Sequence, residues 1–175
     1  MVFGQLFKPR PAVEAGRALM TQAAAQARNP VFYADWGAPD TREGRFELVS
    51  LHVILIVRRL KGHGEQAVET CQALIDASFE HLDIALREMG TGDLSMSKKM
   101  KGLGQAFFGR AKAYEAAFDA LPNEAPLEEL VGRTLFTDEG ASQPFIRYVV
   151  EAEKRLAGES LTRLLSGQVD WPAAA

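Results

Sequence analysis

The sequence predicts an all-α protein: a single compact domain of about six or seven helices covering residues 1–175. Apolar residues recur at helical spacing nearly throughout, and no turn dipeptide sits between alternating strands. No internal repeat appears. The composition, 47% hydrophobic and 25% charged, is that of an ordinary globular chain. At 175 residues it fits one domain, which buries roughly 70% of its unfolded surface.

The elements follow in order. A first helix covers residues 11–27, is rich in alanine, and stops before Asn29-Pro30. The stretch NPVFYADWGAPD reads as a loop carrying Phe32, Tyr33 and Trp36 between two prolines. A second helix opens at Asp40 or Thr41, with Glu43 placed to complete a capping box from Asp40, and runs to Lys61, where KGHG breaks it. Its run from Phe46 to Val57 is the greasiest in the chain, yet falls short of the about 20 residues a bilayer span needs. It reads as the central core helix. In a third helix, 65–89, Val68, Cys71, Ile75, Phe79, Leu82, Leu86 and Met89 share one face, opposite Glu65, Glu69, Asp76, Glu80, Asp83 and Arg87. Gly90 ends it. A fourth helix runs to about Leu121, and shorter ones lie near 124–136 and 142–165, set off by Pro122, Pro126, Gly140 and Pro144. The closing WPAAA reads as a frayed tail.

Charge and motif content remove several function classes. A net charge of −3 argues against general nucleic-acid affinity, so no DNA partner is expected. The one cysteine, Cys71, cannot form an intramolecular disulfide and reads as a buried structural thiol. The N-terminus MVFGQLFKPRP lacks the apolar core and cleavage site of a secretory signal. There is no Walker-type loop, no Gly-x-Ser-x-Gly and no Cys-x-x-Cys. Val49, Leu60 and Ser78 stand three residues before His52, His63 and His81, so the Glu-x-x-His motif of di-metal bundles is absent. His52 reads as a core histidine, and GHGEQ and GTGDL as glycine turns at helix ends, with no strand before them. The expectation is a protein with no catalytic residue, metal, cofactor or small-molecule substrate. The rival enzyme reading would need a site on the acidic stripe of Asp76, Glu80 and Asp83.

The stretch MGTGDLSMSKKMKGLGQAFFGR, residues 89–110, puts glycines into a helix that each one weakens by about 1 kcal/mol. At 100° per residue, Met96, Met100, Leu103, Phe107, Tyr114 and Phe118 gather on a core-facing side. Lys98, Lys101, Gly102, Gln105, Gly109 and Lys112 lie opposite, with Lys99 and Arg110 on a flank. Two readings are open. The outer face docks an acidic or closely packed partner, its bare glycines allowing close approach. Or it is a solvated basic face whose glycines relieve crowding against a neighbouring element of the same fold. The aromatic loop also allows two readings: its rings cap the core, or Tyr33 and Trp36 form part of a binding edge, where such residues are enriched.

YADWGAPDTREGRFELVSLHVILIVRRLK followed by LIDASFEHLDIALREMGTGDLSMSKKMKGLGQAFFGRAKAYEAAF resembles the ubiquinol–cytochrome c chaperone family over residues 31–120. REMGTGDLSMSKKMK and FFGRAKAYE are the most specific segments. The form is similar to alphaproteobacterial members, with tyrosine common in the family where Phe108 stands. The resemblance implies a non-enzymatic assembly chaperone of the cytochrome bc complex, with cytochrome b or its nascent chain as partner. It implies a cytoplasmic location, peripheral at the inner membrane. Mitochondrial relatives work with a small partner subunit near the ribosome's exit site and hold cytochrome b before haem insertion is complete. The alternative is a generic helical adaptor for protein or anionic lipid, unrelated to respiration. Helix geometry, rather than the family, makes Lys98, Lys99, Lys101, Arg110 and Lys112 the candidates for meeting ribosomal RNA or anionic headgroups, with Gly102 and Gly109 allowing close approach.

Overall fold

A computed structural model describes residues 10–136 and 141–174, and these are helical with no strand among them. Helix α1 (Pro11–Ala27) opens on a proline, whose fixed φ suits the first helical position. The segment read as a loop contains a short helix, α2 (Pro30–Ala34). The Asn29 side chain accepts the Val31 N–H at 3.1 Å and Pro30 takes the first helical position, so the pair that stops one helix starts the next.

Helix α3 (Arg42–Leu60) is capped by Thr41, whose Oγ1 accepts the Gly44 N–H at 3.1 Å. The expected box from Asp40 to Glu43 does not form: the cap is Thr41, one residue on, and the Asp40 carboxylate accepts from the Arg45 Nε–H at 2.6 Å. From Leu51 to Ile56 every residue of α3 is buried, as befits a core helix. Helix α4 (Glu65–Glu88) ends at Gly90, which takes φ +79°, the left-handed turn that favours glycine. Helix α5 is Asp93–Asp119, and α6 (Ala125–Val131) runs on into a π-helical turn, Gly132–Phe136.

The single helix expected over 142–165 is two, α7 (Gln143–Gly158) and α8 (Leu161–Leu165). At the break Glu159 is extended, and its carbonyl accepts from Arg59 Nη2 at 2.8 Å, a partner from α3 in place of the next helical turn.

The packing of α4 bears out the middle of the expected face, where Cys71, Ile75 and Phe79 pack against the core and Leu82 and Leu86 are half-buried, and corrects the rest. Its deepest residues are Ala67, Thr70, Leu74 and Ser78, whereas Val68 and Met89 of the expected apolar face are exposed. The reason is a close crossing with α1: a Cβ on Gly16 would lie 2.6 Å from the Leu74 nitrogen. Such an approach buries small side chains. Thr70 and Ser78 satisfy their hydroxyls on the carbonyls of Gln66 and Ile75.

The C-terminal segment is docked rather than frayed. Gln22 donates to the Gly167 carbonyl and accepts from the Val169 N–H, and Arg155 pairs with Asp170 at 3.1 Å. The Trp171 ring meets the His52 ring edge-on at 4.9 Å, and Pro172 is buried.

Candidate functional site

Helix α5 carries the residues singled out in the sequence. Met96, Phe107, Tyr114 and Phe118 are buried and Met100 and Leu103 half-buried, so the core-facing stripe stands as expected. Lys98, Lys99, Lys101, Gly102, Gln105, Gly109 and Lys112 are exposed. Among the described residues, no carboxylate lies within ion-pairing distance of Lys98, Lys99, Lys101 or Lys112. Lys99 donates to the Thr91 hydroxyl at 3.1 Å.

A Cβ placed on Gly102 or Gly109 meets no atom of the described residues within 4 Å. These glycines therefore relieve no crowding against the described residues, which leaves a solvated basic face or a docking face for them. Gly104 differs, since its Cβ would touch the Phe79 ring at 3.8 Å.

Arg110 belongs to the interior. Its Nε and Nη2 grip both carboxylate oxygens of Glu47 at 2.8 and 2.9 Å, a bidentate pair that stitches α5 to α3. The Glu47 side chain is only 8% exposed. That hydrogen bonding pushes the Arg110 pKa further up. The charge that helix geometry set on the flank is already matched within the fold.

Tyr33 and Trp36 are half-buried against the core. Tyr33 donates its hydroxyl to the Ala27 carbonyl at 2.8 Å, and the Trp36 ring packs on Phe32, Phe145 and Tyr148 at 5.5–6.5 Å. These contacts belong to α1, α2 and α7, so the structure does not bring the aromatic pair together with the lysines of α5.

The residue that sequence reasoning missed is Phe108, 57% exposed beside the lysines. A signal for it was present: Phe107 falls in the core-facing stripe with Met96, Met100 and Leu103, and Phe108 stands 100° further round, toward the line of Lys98, Lys101 and Lys112. Phe108, Phe107 and Ala111 of α5 line a cavity of about 130 Å³ with Ile54 and Val57 of α3 and Ile75 of α4. Its walls are almost wholly apolar, with Arg58, Lys61 and Glu115 at the rim. The volume matches one large aliphatic or aromatic side chain. A wider polar cleft of about 500 Å³ lies between the end of α3 and α7, but its cations are engaged. Arg58 meets Asp119 and Glu153, Lys61 meets Glu115, and Arg59 donates to the Glu159 carbonyl and to His63.

The remaining titratable groups of interest are structural. His52 is fully buried, its Nδ1–H donating to the Leu48 carbonyl at 2.7 Å and its Nε2 accepting from the Tyr148 hydroxyl at 2.8 Å. Burial holds its pKa down to about 4, so the ring is neutral. Burial also pushes the Cys71 thiol up to about 11, which removes thiolate character at neutral pH. Among the described residues, no cluster of three His, Cys, Asp or Glu could hold a metal ion, and no helix is long and apolar enough to cross a membrane.

Comparison with known proteins adds a family match. The model of the ubiquinol-cytochrome C chaperone family matches residues 34–171. The chain is 22% identical over 147 residues to ubiquinol-cytochrome-c reductase complex assembly factor 1 of Xenopus laevis, covering 80% of this chain and 72% of that protein. It is 24% identical to the Mus musculus protein of the same name, of which it spans about half the length, 48%. The crystal structure of the Cbp3 homolog from Brucella abortus superposes with a TM-score of 0.83 at 32% identity, covering 93% of this chain and 92% of that one.

Proposed function

Because the chain belongs to the ubiquinol-cytochrome C chaperone family, we propose that it is a non-enzymatic assembly factor of the ubiquinol–cytochrome c reductase complex, holding cytochrome b before it is assembled. It acts on the cytoplasmic side, at the inner membrane. The observation that carries this reading is the family match over residues 34–171. The apolar cavity between α3, α4 and α5, with the exposed Phe108 among its lining, is the candidate place for a client side chain.

An unassembled membrane helix exposes large apolar side chains that water does not tolerate. A holder that must later release it needs a shallow hole for a side chain or two, rather than a deep core. A cavity of about 130 Å³ supplies that. Burying one leucine or phenylalanine there is worth about 2 kcal/mol, enough to bias an exposed client and little enough to let it go. The exposed backbone at Gly102 and Gly109 lets a second helix or a headgroup come close, and the solvent-facing lysines of α5 suit a partner carrying negative charge, whether ribosome, lipid or protein.

Site-specific cross-linking tests the reading. A photoreactive residue in place of Ala111, at the cavity wall, should capture newly made cytochrome b in cells. The same probe at Glu65, at the start of α4, should not. Equal capture at both sites, or none at Ala111, would contradict the assignment of the cavity.

A further inference from the structure

We infer that the outward line of α5 is a lipid-docking surface, which lays the helix flat on an anionic bilayer with Leu94 and Phe108 inserted. This inference goes beyond client holding and stands whether or not cytochrome b is the client.

Leu94, Lys98, Lys101, Gln105, Phe108 and Lys112 follow one another at spacings of four, three, four, three and four, which puts them on a single helical line. All six are exposed, Leu94 completely. At 1.5 Å per residue the two apolar side chains stand about 21 Å apart, with lysines between and beyond them. Single exposed apolar side chains are ordinary, and Val68, Ile84 and Met89 are others here. What sets Leu94 and Phe108 apart is that they share one helical line with Lys98, Lys101 and Lys112. That pattern suits an amphipathic surface in the headgroup region: apolar side chains enter the acyl boundary and lysines meet phosphates.

The charges are sorted to suit. Glu115 and Asp119, at the C-terminal end of the same face, are each held by a cation from α3, Lys61 and Arg58 respectively. Asp93, beside Leu94, is held by Arg87 at 3.0 Å. The cations Lys98, Lys101 and Lys112 have no carboxylate of the described residues within ion-pairing distance. What the face presents outward is positive, although the chain as a whole carries −3. Gly102 and Gly109 lie beside the line with no atom of the described residues over them, which is room for headgroups against the bare backbone.

Each lysine near an anionic surface strengthens binding by about fivefold. The test is sedimentation of the full chain with vesicles of equal parts phosphatidylglycerol and phosphatidylcholine, against phosphatidylcholine alone. The acidic vesicles should carry the protein down and the neutral ones should not, with binding weakened by high salt. K98A/K101A/K112A should lose about a hundredfold in partitioning, and Leu94→Ser about tenfold. None of these side chains is part of the core, and an unchanged far-UV spectrum checks that the fold is kept. Failure to bind acidic vesicles, equal binding to neutral ones, or a lysine variant that binds as well as the parent each overturns the inference. Absent vesicle binding together with intact cross-linking at position 111 would overturn the lipid-docking inference and leave the chaperone reading standing.

Discussion

Replacing Arg110 by methionine removes the cation that neutralises a buried carboxylate, and the size of the effect follows from the geometry. Glu47 is 8% exposed and receives two guanidinium hydrogen bonds, at 2.8 and 2.9 Å. Breaking such a pair from one side leaves an uncompensated charge and typically costs 3–5 kcal/mol. The Arg110 side chain is itself 30% exposed, so water can partly replace it and about 3 kcal/mol is the expected loss. For a domain of this size that lowers Tm by about 10 °C. The pair is asymmetric: Glu47→Gln leaves an arginine that can turn to solvent, and should cost about 1 kcal/mol. In E47Q/R110M the stranded charge is gone, so the double variant should be more stable than Arg110→Met alone. Thermal unfolding followed by circular dichroism reads all three. A loss below about 1 kcal/mol for Arg110→Met, the worth of a surface pair, would refute the placement of Glu47 in the interior.

Glycines give a second contrast. G102A/G109A should raise stability by about 2 kcal/mol, since each removes a helix-interior glycine and its Cβ meets nothing. If partner binding survives that change intact, the close-approach role of these glycines is wrong. Gly16→Ala should instead lose about 1–3 kcal/mol, because its Cβ would press on the Leu74 backbone. His52 is held near 4 in the fold against about 6.5 unfolded, so the unfolded chain takes up a proton first as pH falls. Its contribution is fully present above pH about 6.5 and is lost progressively toward pH 4, up to about 3 kcal/mol. Denaturant titrations across that range should show this slope, and His52→Gln should flatten it.

The fold class was legible because periodicity and caps agree along most of the chain: α3, α5 and the Gly90 stop lie close to where apolar spacing put them. The face of α4 was legible in part: Cys71, Ile75 and Phe79 pack against the core where the pattern put them. Hydrophobicity points to Val68 and Met89, but close crossing with α1 at Gly16 selects the small residues Ala67, Thr70 and Ser78, which a search for large apolar side chains passes over. The break at Glu159 and the docked Trp171 depend on partners distant in sequence, Arg59 and His52, which local pattern cannot supply. On the candidate site, the outward lysines and bare glycines of α5 were legible from helix geometry alone. The role of Arg110 was hidden because Glu47 lies 63 residues away. Phe108 was hidden in plain view by its neighbour Phe107, and its exposure turned a basic face into an amphipathic one.

The most direct test of the central claim is the cytochrome b content of membranes from cells lacking this protein, read from reduced-minus-oxidised spectra with the haems of the terminal oxidases as internal reference. The account predicts a selective loss of the cytochrome b signal, restored by the parent chain. A cytochrome b signal equal to that of unmodified cells would contradict it.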